Sequence, residues 1–390
     1  MSKYSNYSIT AVILILTAFM LINPRETVAA ASFGFHLWYS TVFPALFPFF
    51  IVAELLVALH FVDILGIWLE PVMRPIFRLP GCSSLVVVMG FTSGFPVGAL
   101  LTRRLYEKQM LTANEAERLV SFTNNSSPLF IVGAIGVGMF ANPTAGYLLA
   151  AGHYLSNLLL GFIWRFKSEP QSTACLYRLN QQLPASVNES DVELNGIGKI
   201  LGNAISSALN SILAVGGFIV IFSVLTRMLS YWGFIDLMAA VLVKLLAVFE
   251  LSYPLAYGLS MGFFEITLGA KTAVAASGSE ALPTLLVVSS ILAFSGLSII
   301  AQIMSVVAGT PIRLSFYLLA RAIQMVFSII ITYIIYRFFL TNTISTMTLS
   351  SIPIYKVLYS FDAWMFSLYS MLAGFILILL MIGAACYKRP

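Results

Sequence analysis

Twenty residues from Cys82 to Leu101 pass without a charge, yet both flanks are basic: Arg74 and Arg78 before the run, Arg103, Arg104 and Lys108 after it. A helix of about 20 apolar residues is what crosses a bilayer. Crossing here would leave one basic cluster outside, against the rule that basic loops stay in the cytoplasm. Gly90, Gly94, Pro96 and Gly98 also break the run, and neither residue type favours one straight helix. A re-entrant hairpin that enters and leaves on the cytoplasmic face satisfies both facts. Irregular backbone at membrane depth survives only inside protein or beside a water-filled cavity, so the hairpin implies a cavity. The chain as a whole is 59% hydrophobic and 9% charged, against about 25% charged in an average soluble protein. That excludes an ordinary soluble enzyme, a disordered chain and a secreted disulfide scaffold, and predicts an all-α polytopic membrane protein.

The same plan is written twice. Met89-Gly90-Phe91 recurs as Met261-Gly262-Phe263, Phe122-Thr123 as Phe294-Ser295, and Arg165 as Arg337, each 172 residues on; Gly98-Ala99 matches Gly269-Ala270 with a one-residue gap. Residues 35–166 read as a first repeat: a span at 35–61 with Glu54, a basic connector, the hairpin, a broken span that opens at Thr112 and runs to about 140, and a span at 144–164. Residues 200–340 read as a second: a span at 201–226, an interfacial segment at 234–250, a Gly-broken stretch at 254–276, a broken span at 283–307 and a span at 312–337. Three crossings per repeat invert the second copy. Inverted repeats with discontinuous helices mark secondary transporters. Between them, 167–199 is a polar cytoplasmic linker. Residues 1–34 hold an N-terminal membrane segment and outer loop, and 341–390 an outer loop and a terminal helix at 364–386. The first apolar run, Ile9–Ile22, is short; a retained, tilted helix is favoured over a signal peptide cleaved near Val28–Ser32. On this model fourteen of the 21 lysines and arginines face the cytoplasm, six face out, and Arg321 is left inside a span.

Three sets of residues carry chemistry. The hairpin tip Thr92, Ser93, Gly94 and Phe95 places hydroxyls beside a new helix start, whose free N–H groups attract anions. A packing hinge would explain the glycines but not the hydroxyls. Asn124, Asn125, Ser126 and Ser127 precede Pro128, which removes a helix hydrogen bond. They either satisfy only their own backbone or present half-helix ends to a substrate; the matching break in the second repeat falls at Ser295. The third set is ionisable: Glu265, Lys271 and Arg321, with Gln324 one turn beyond. A charge at the centre of a span costs about 2.5–3.5 kcal/mol and is a site hypothesis by default. Arg321 offers an anionic substrate a permanent cation, and Glu265 either pairs with Lys271 or carries a coupling proton. Structural ion pairs are the competing explanation, above all for Glu54.

Other classes are weakly supported or excluded. The basic balance of +5 lies in short loops and sets topology, with no pattern for nucleic acid. Three scattered cysteines, Cys82, Cys175 and Cys386, and three scattered histidines, His36, His60 and His153, suggest neither a disulfide framework nor a metal site. No phosphate loop, HExxH or GxSxG occurs, so neither ATP drive nor an enzyme is expected, and no cofactor.

At the two motifs, Gly90–Ala99 and Asn124–Gly133, the sequence resembles the sporulation integral membrane protein family called YlbJ, over about residues 35 to 340. That family lies within the wider group bearing the nucleoside-recognition, or Gate, domain, related to concentrative nucleoside transporters. The resemblance implies expression in the mother cell of an endospore former and movement of dipicolinic acid across the outer forespore membrane. A pyridine dicarboxylate would suit the helix starts, the Asn124–Ser127 group and Arg321, with Phe91 or Phe95 stacking on its ring. A nucleoside or other small metabolite would need fewer cations and more amides and carboxylates. A non-transporting scaffold of the spore envelope would need intact topology but not the motif side chains. The expected partners are a small anionic substrate, the lipid bilayer and a coupling ion, proton or sodium. A homo-oligomer is left open.

Overall fold

The computed structural model describes residues 3–59, 61–167, 197–276 and 281–340. Most of the linker and the whole terminal helix expected at 364–386 lie outside them. Among the described residues every regular element is helical. The chain opens with α1 (Lys3–Ile22) and α2 (Pro24–Leu37). Pro24 sits in the first turn, where its missing N–H does no harm, and the two axes meet at 108°. Residues 24–34, expected within an outer loop, are thus helical. α2 runs through a short π-helical turn into α3 (Phe43–Ala58). The expected connector is the helix α4 (Phe61–Phe77).

Next come α5 (Ser83–Thr92) and α6 (Val97–Glu107), the two arms of the first hairpin. α7 (Ala113–Thr123) starts on a capping box: Thr112 Oγ1 accepts the Glu115 N–H at 3.2 Å, and Glu115 Oε2 accepts the Thr112 N–H at 2.8 Å. After a break the span resumes as a π-helical segment, Leu129–Met139, and α8 (Pro143–Trp164) returns.

The second half follows the same order. α9 (Ile197–Tyr231) is the long span and α10 (Phe234–Leu245) the counterpart of α4. α11 (Tyr253–Phe264) and α12 (Ile266–Ala275) form the second hairpin. α13 (Ala281–Phe294) and α14 (Gly296–Val306) form the second broken span, and α15 (Leu314–Ile335) closes the half. Among the described residues, four stretches are long and apolar enough to cross a membrane singly: 143–167, 198–231, 281–306 and 314–338. The bent α1–α2 pair makes a fifth. Leu201, Ile205, Leu209 and Leu213 recur every four residues on α9 and are exposed, a stripe suited to lipid.

The halves exchange contacts reciprocally. α6 packs on α14, while its counterpart α12 packs on the π-helical segment that corresponds to α14; α7 packs on α15, while α13 packs on α8. α8 and α15 run antiparallel. Trp164 meets Phe316 with ring centroids 4.6 Å apart, Asn157 meets Arg321, and Gly152 abuts Thr332. Counterpart spans that run antiparallel are what an inverted second half requires.

The hairpins seat on the broken spans through glycine. A side chain at Gly90 or Gly98 would strike the Thr123 carbonyl oxygen, and one at Gly262 would strike Ile291. Gly94, at the first hairpin tip, has φ of 92°, a conformation glycine adopts without steric cost.

On the charged face, Glu54 accepts from Arg104 at 3.1 Å and from Ser207 at 2.9 Å, tying α3, α6 and α9 together. Glu117 takes three hydrogen bonds from Arg313, through the backbone N–H, Nε and Nη2. The bond to Glu117, then its charge, raises the Arg313 pKa. This ion pair joins α7 to the start of α15. Glu117→Gln should lower stability by no more than about 1 kcal/mol, because Arg313 is solvent-exposed and water replaces the bond the amide cannot accept; thermal unfolding of the purified protein measures it.

Candidate functional site

A cavity of about 620 Å³ lies between the halves, within the ordinary range for small-molecule sites. Gly94 and Phe95 of the first hairpin and Ser126 and Ser127 of the first break line one side. Glu265, Ile266 and Thr267 of the second hairpin, and Ser298 and Gln302 of α14, line another. Ser40, beyond α2, and Phe218 of α9 help close it. α2 is held there by Gly34, which fits against Ser223, and by Trp38 Nε1, which donates to the Ile212 carbonyl at 3.0 Å.

Four helix starts approach this cavity: α6, the π-helical segment, α12 and α14. Three of them are capped from within. Asn124 Oδ1 accepts the Ala99 N–H at 2.8 Å and so caps α6. Ser127 Oγ accepts the Phe130 N–H at 3.2 Å. Glu265 is the N-cap of α12 and accepts the Leu268 N–H at 2.6 Å. The start of α14 has no side-chain cap bond. It follows two left-handed residues, Ser295 with φ of 74° and Gly296 with φ of 75°, and such a conformation at a non-glycine costs on the order of 1–3 kcal/mol. Ser295 itself points back, toward the Leu292 carbonyl at 3.4 Å. Asn124→Ala, which uncaps α6, should cost about 1 kcal/mol, read as faster amide exchange at Ala99.

The sequence-derived residues divide. Gly94, Phe95, Ser126, Ser127 and Glu265 line the cavity; the others do not. Thr92 is exposed and bonds back to the Val88 carbonyl at 2.9 Å. Ser93 is buried beside the tip. Asn124 and Asn125 serve backbone: Nδ2 of each donates to a carbonyl of α7, Val120 at 2.8 Å and Phe122 at 3.3 Å. Lys271 does not pair with Glu265; it is exposed, its ammonium 5.9 Å from the Phe33 ring. Phe91 packs on Tyr154; the aromatics on the wall are Phe95, Phe130 and Phe218.

Arg321 is fully buried on α15 and turns to the first break. Its guanidinium donates to the Asn124 carbonyl at 3.1 Å, to the Ser121 carbonyl and to Asn157 Oδ1 at 3.3 Å. Its carbon lies 5.1 Å from the Tyr317 ring centroid. The acceptors it was expected to find on a substrate are carbonyls that α7 leaves free where it unwinds. His153 Nε2 accepts the Ser126 N–H at 3.3 Å, and Tyr154 donates to the Ser126 carbonyl at 2.8 Å. Gln324 is buried one turn beyond Arg321, and neither of its amide atoms meets a protein partner.

Sequence reasoning passed over Thr267, Ser298 and Gln302. The repeat offset would have found one of them: Ser126 lies 172 residues before Ser298. Both serine hydroxyls are buried on the cavity wall without a protein partner.

Among known proteins, a family model described as nucleoside recognition, Gate, matches residues 39–158. The sporulation integral membrane protein YlbJ of Bacillus subtilis is 40% identical over 344 residues, 86% of this chain and 84% of the relative. An uncharacterized protein of Alkalihalophilus pseudofirmus is 33% identical over 116 residues, 28% of this chain and 25% of its own length. No solved structure matches. With two-fifths of its residues shared along most of both chains, this integral membrane protein belongs to the YlbJ family of sporulation membrane proteins.

Proposed function

We propose that the chain is a secondary transporter that moves dipicolinic acid across the outer forespore membrane by alternating access. The observation that carries this reading is that both hairpins and both broken spans line one cavity between the two halves, with the starts of α12, α14 and the π-helical segment on its wall. Half-helix N-termini hold anionic substrate groups in transporters of this architecture, and Phe95 supplies a face for an aromatic ring. Rocking of one half against the other would expose the cavity to each side in turn.

In this reading the coupling ion is a proton and Glu265 carries it. A dianion entering beside an ionised carboxylate meets like charge, which protonation removes. Glu265→Gln keeps the side-chain volume and an oxygen for the Leu268 N–H. The variant should retain dipicolinate exchange at equal pH but lose accumulation driven by a pH gradient, measured in proteoliposomes.

A second reading is a transporter of nucleosides or other small neutral metabolites. No lysine or arginine is among the residues lining the cavity, whereas Glu265 and Gln302 are, a balance that hydroxyl-rich substrates also suit. The scaffold alternative is separated in cells. In an endospore-forming host lacking its own copy, Phe95→Ala combined with Ser127→Ala should localise normally and give spores poor in dipicolinate. Full dipicolinate content with both motif side chains removed would favour the scaffold.

A further inference from the structure

We propose that the start of α14 is the subsite that holds a substrate carboxylate, with Ser298 and Gln302 as its side-chain donors. The inference deepens the transport reading and rests on it. Of the four helix starts that approach the cavity, three already bond a side-chain oxygen: from Asn124, Ser127 and Glu265. α14 spans 11 residues and its N-cap makes no such bond, so its first N–H groups keep their pull on an anion.

Two further donors lie on the same helix, Ser298 in its first turn and Gln302 one turn further in. Ser298 is 4% exposed and Gln302, one turn on along the same face, is 3% exposed. Ser298 Oγ and Gln302 Nε2 both lack a protein partner, and both residues line the cavity. A buried amide N–H without a partner is costly in the bulk of a fold, and such groups in native structures mark ligands or ordered water. A carboxylate is the complement of this set: it accepts only, has two oxygens, and gains from the helix dipole. A ribose hydroxyl would use the same donors with no gain from charge. Ser126, on the first break, also lines the cavity and carries the unpartnered hydroxyl related to Ser298 by the internal repeat. A second carboxylate on the same rigid ring would meet it there.

The test is equilibrium binding to the full chain in nanodiscs, with dipicolinate, picolinate and uridine as probes. Variants are accepted when they elute as one species and melt within a few degrees of the unmodified protein. Gln302→Glu, nearly isosteric, should weaken dipicolinate at least about a hundredfold, by replacing a charge-assisted donor with a like charge. Ser298→Ala and Gln302→Leu should each weaken it about tenfold. Uridine affinity should not fall with Gln302→Glu. Picolinate, with one carboxylate, should lose affinity with Ser298→Ala but not with Ser126→Ala. Dipicolinate binding that survives Gln302→Glu and Gln302→Leu overturns the subsite and leaves the transport reading standing. A protein that binds uridine in preference to either carboxylate, or no probe at all, overturns the substrate reading and the subsite with it.

Discussion

Arg321→Gln should lower the melting temperature of the purified protein by more than about 5 °C and abolish transport, although residue 321 does not face the cavity. The side chain satisfies the Ser121 and Asn124 carbonyls and the Asn157 amide oxygen at once, all buried. Each acceptor left without a partner costs about 1–3 kcal/mol, and about 3 kcal/mol moves the midpoint of a domain this size by several degrees. Glutamine is too short to reach all three. Arg321→Lys should fail as well, since one ammonium cannot reproduce a planar fork. A direct anion contact predicts the opposite pattern: substrate binding lost at an unchanged melting temperature. Melting curves beside dipicolinate binding isotherms separate the two.

Gly90→Val should prevent the first hairpin from docking at all. A Cβ there runs into the Thr123 carbonyl oxygen, which belongs to the last turn of α7, and Gly98 from the other arm abuts the same group. Backbone on both sides cannot yield as a flexible side chain would, so the cost should exceed the roughly 1–3 kcal/mol of ordinary overpacking. The expected result is a protein lost to degradation or recovered as aggregate in size-exclusion chromatography. Gly202→Ala is the matched control. Nothing lies within 4 Å of a Cβ at Gly202 in α9, so alanine should leave stability unchanged or raise it by up to about 1 kcal/mol through helix propensity. Equal tolerance of Gly90→Val and Gly202→Ala would contradict the docking geometry.

The hairpins, both broken spans and the repeat were legible in the sequence because each has a local cause. Glycine, proline and flanking charge act within a few residues of where they stand, and Gly94, Pro96 and Pro128 interrupt the chain where expected, whereas Gly90 and Gly98 lie inside the two arms. Glu54 also behaves as its position suggested, locked between Arg104 and Ser207. The direction of Arg321 was not legible. A cation inside a span must find acceptors, but sequence does not say whether they come from a ligand or from the unwound backbone of a helix packed against it. Lys271 shows the same limit from the other side: its nearness in sequence to Glu265 suggested a pair, but six residues apart on a helix the two do not share a face, and Lys271 is exposed. Ser298 and Gln302 were passed over because a serine and a glutamine in an apolar span read as packing until the break at Ser295 is seen to aim α14 at the cavity.

Uptake of labelled dipicolinate and of labelled uridine into proteoliposomes, with and without an inwardly directed proton gradient, tests the central claim most directly. The account predicts dipicolinate accumulation above the external concentration when the gradient is present, exchange without accumulation when it is absent, and no competition by uridine. Uridine accumulation without dipicolinate uptake, or no uptake of either by correctly inserted protein, would contradict it.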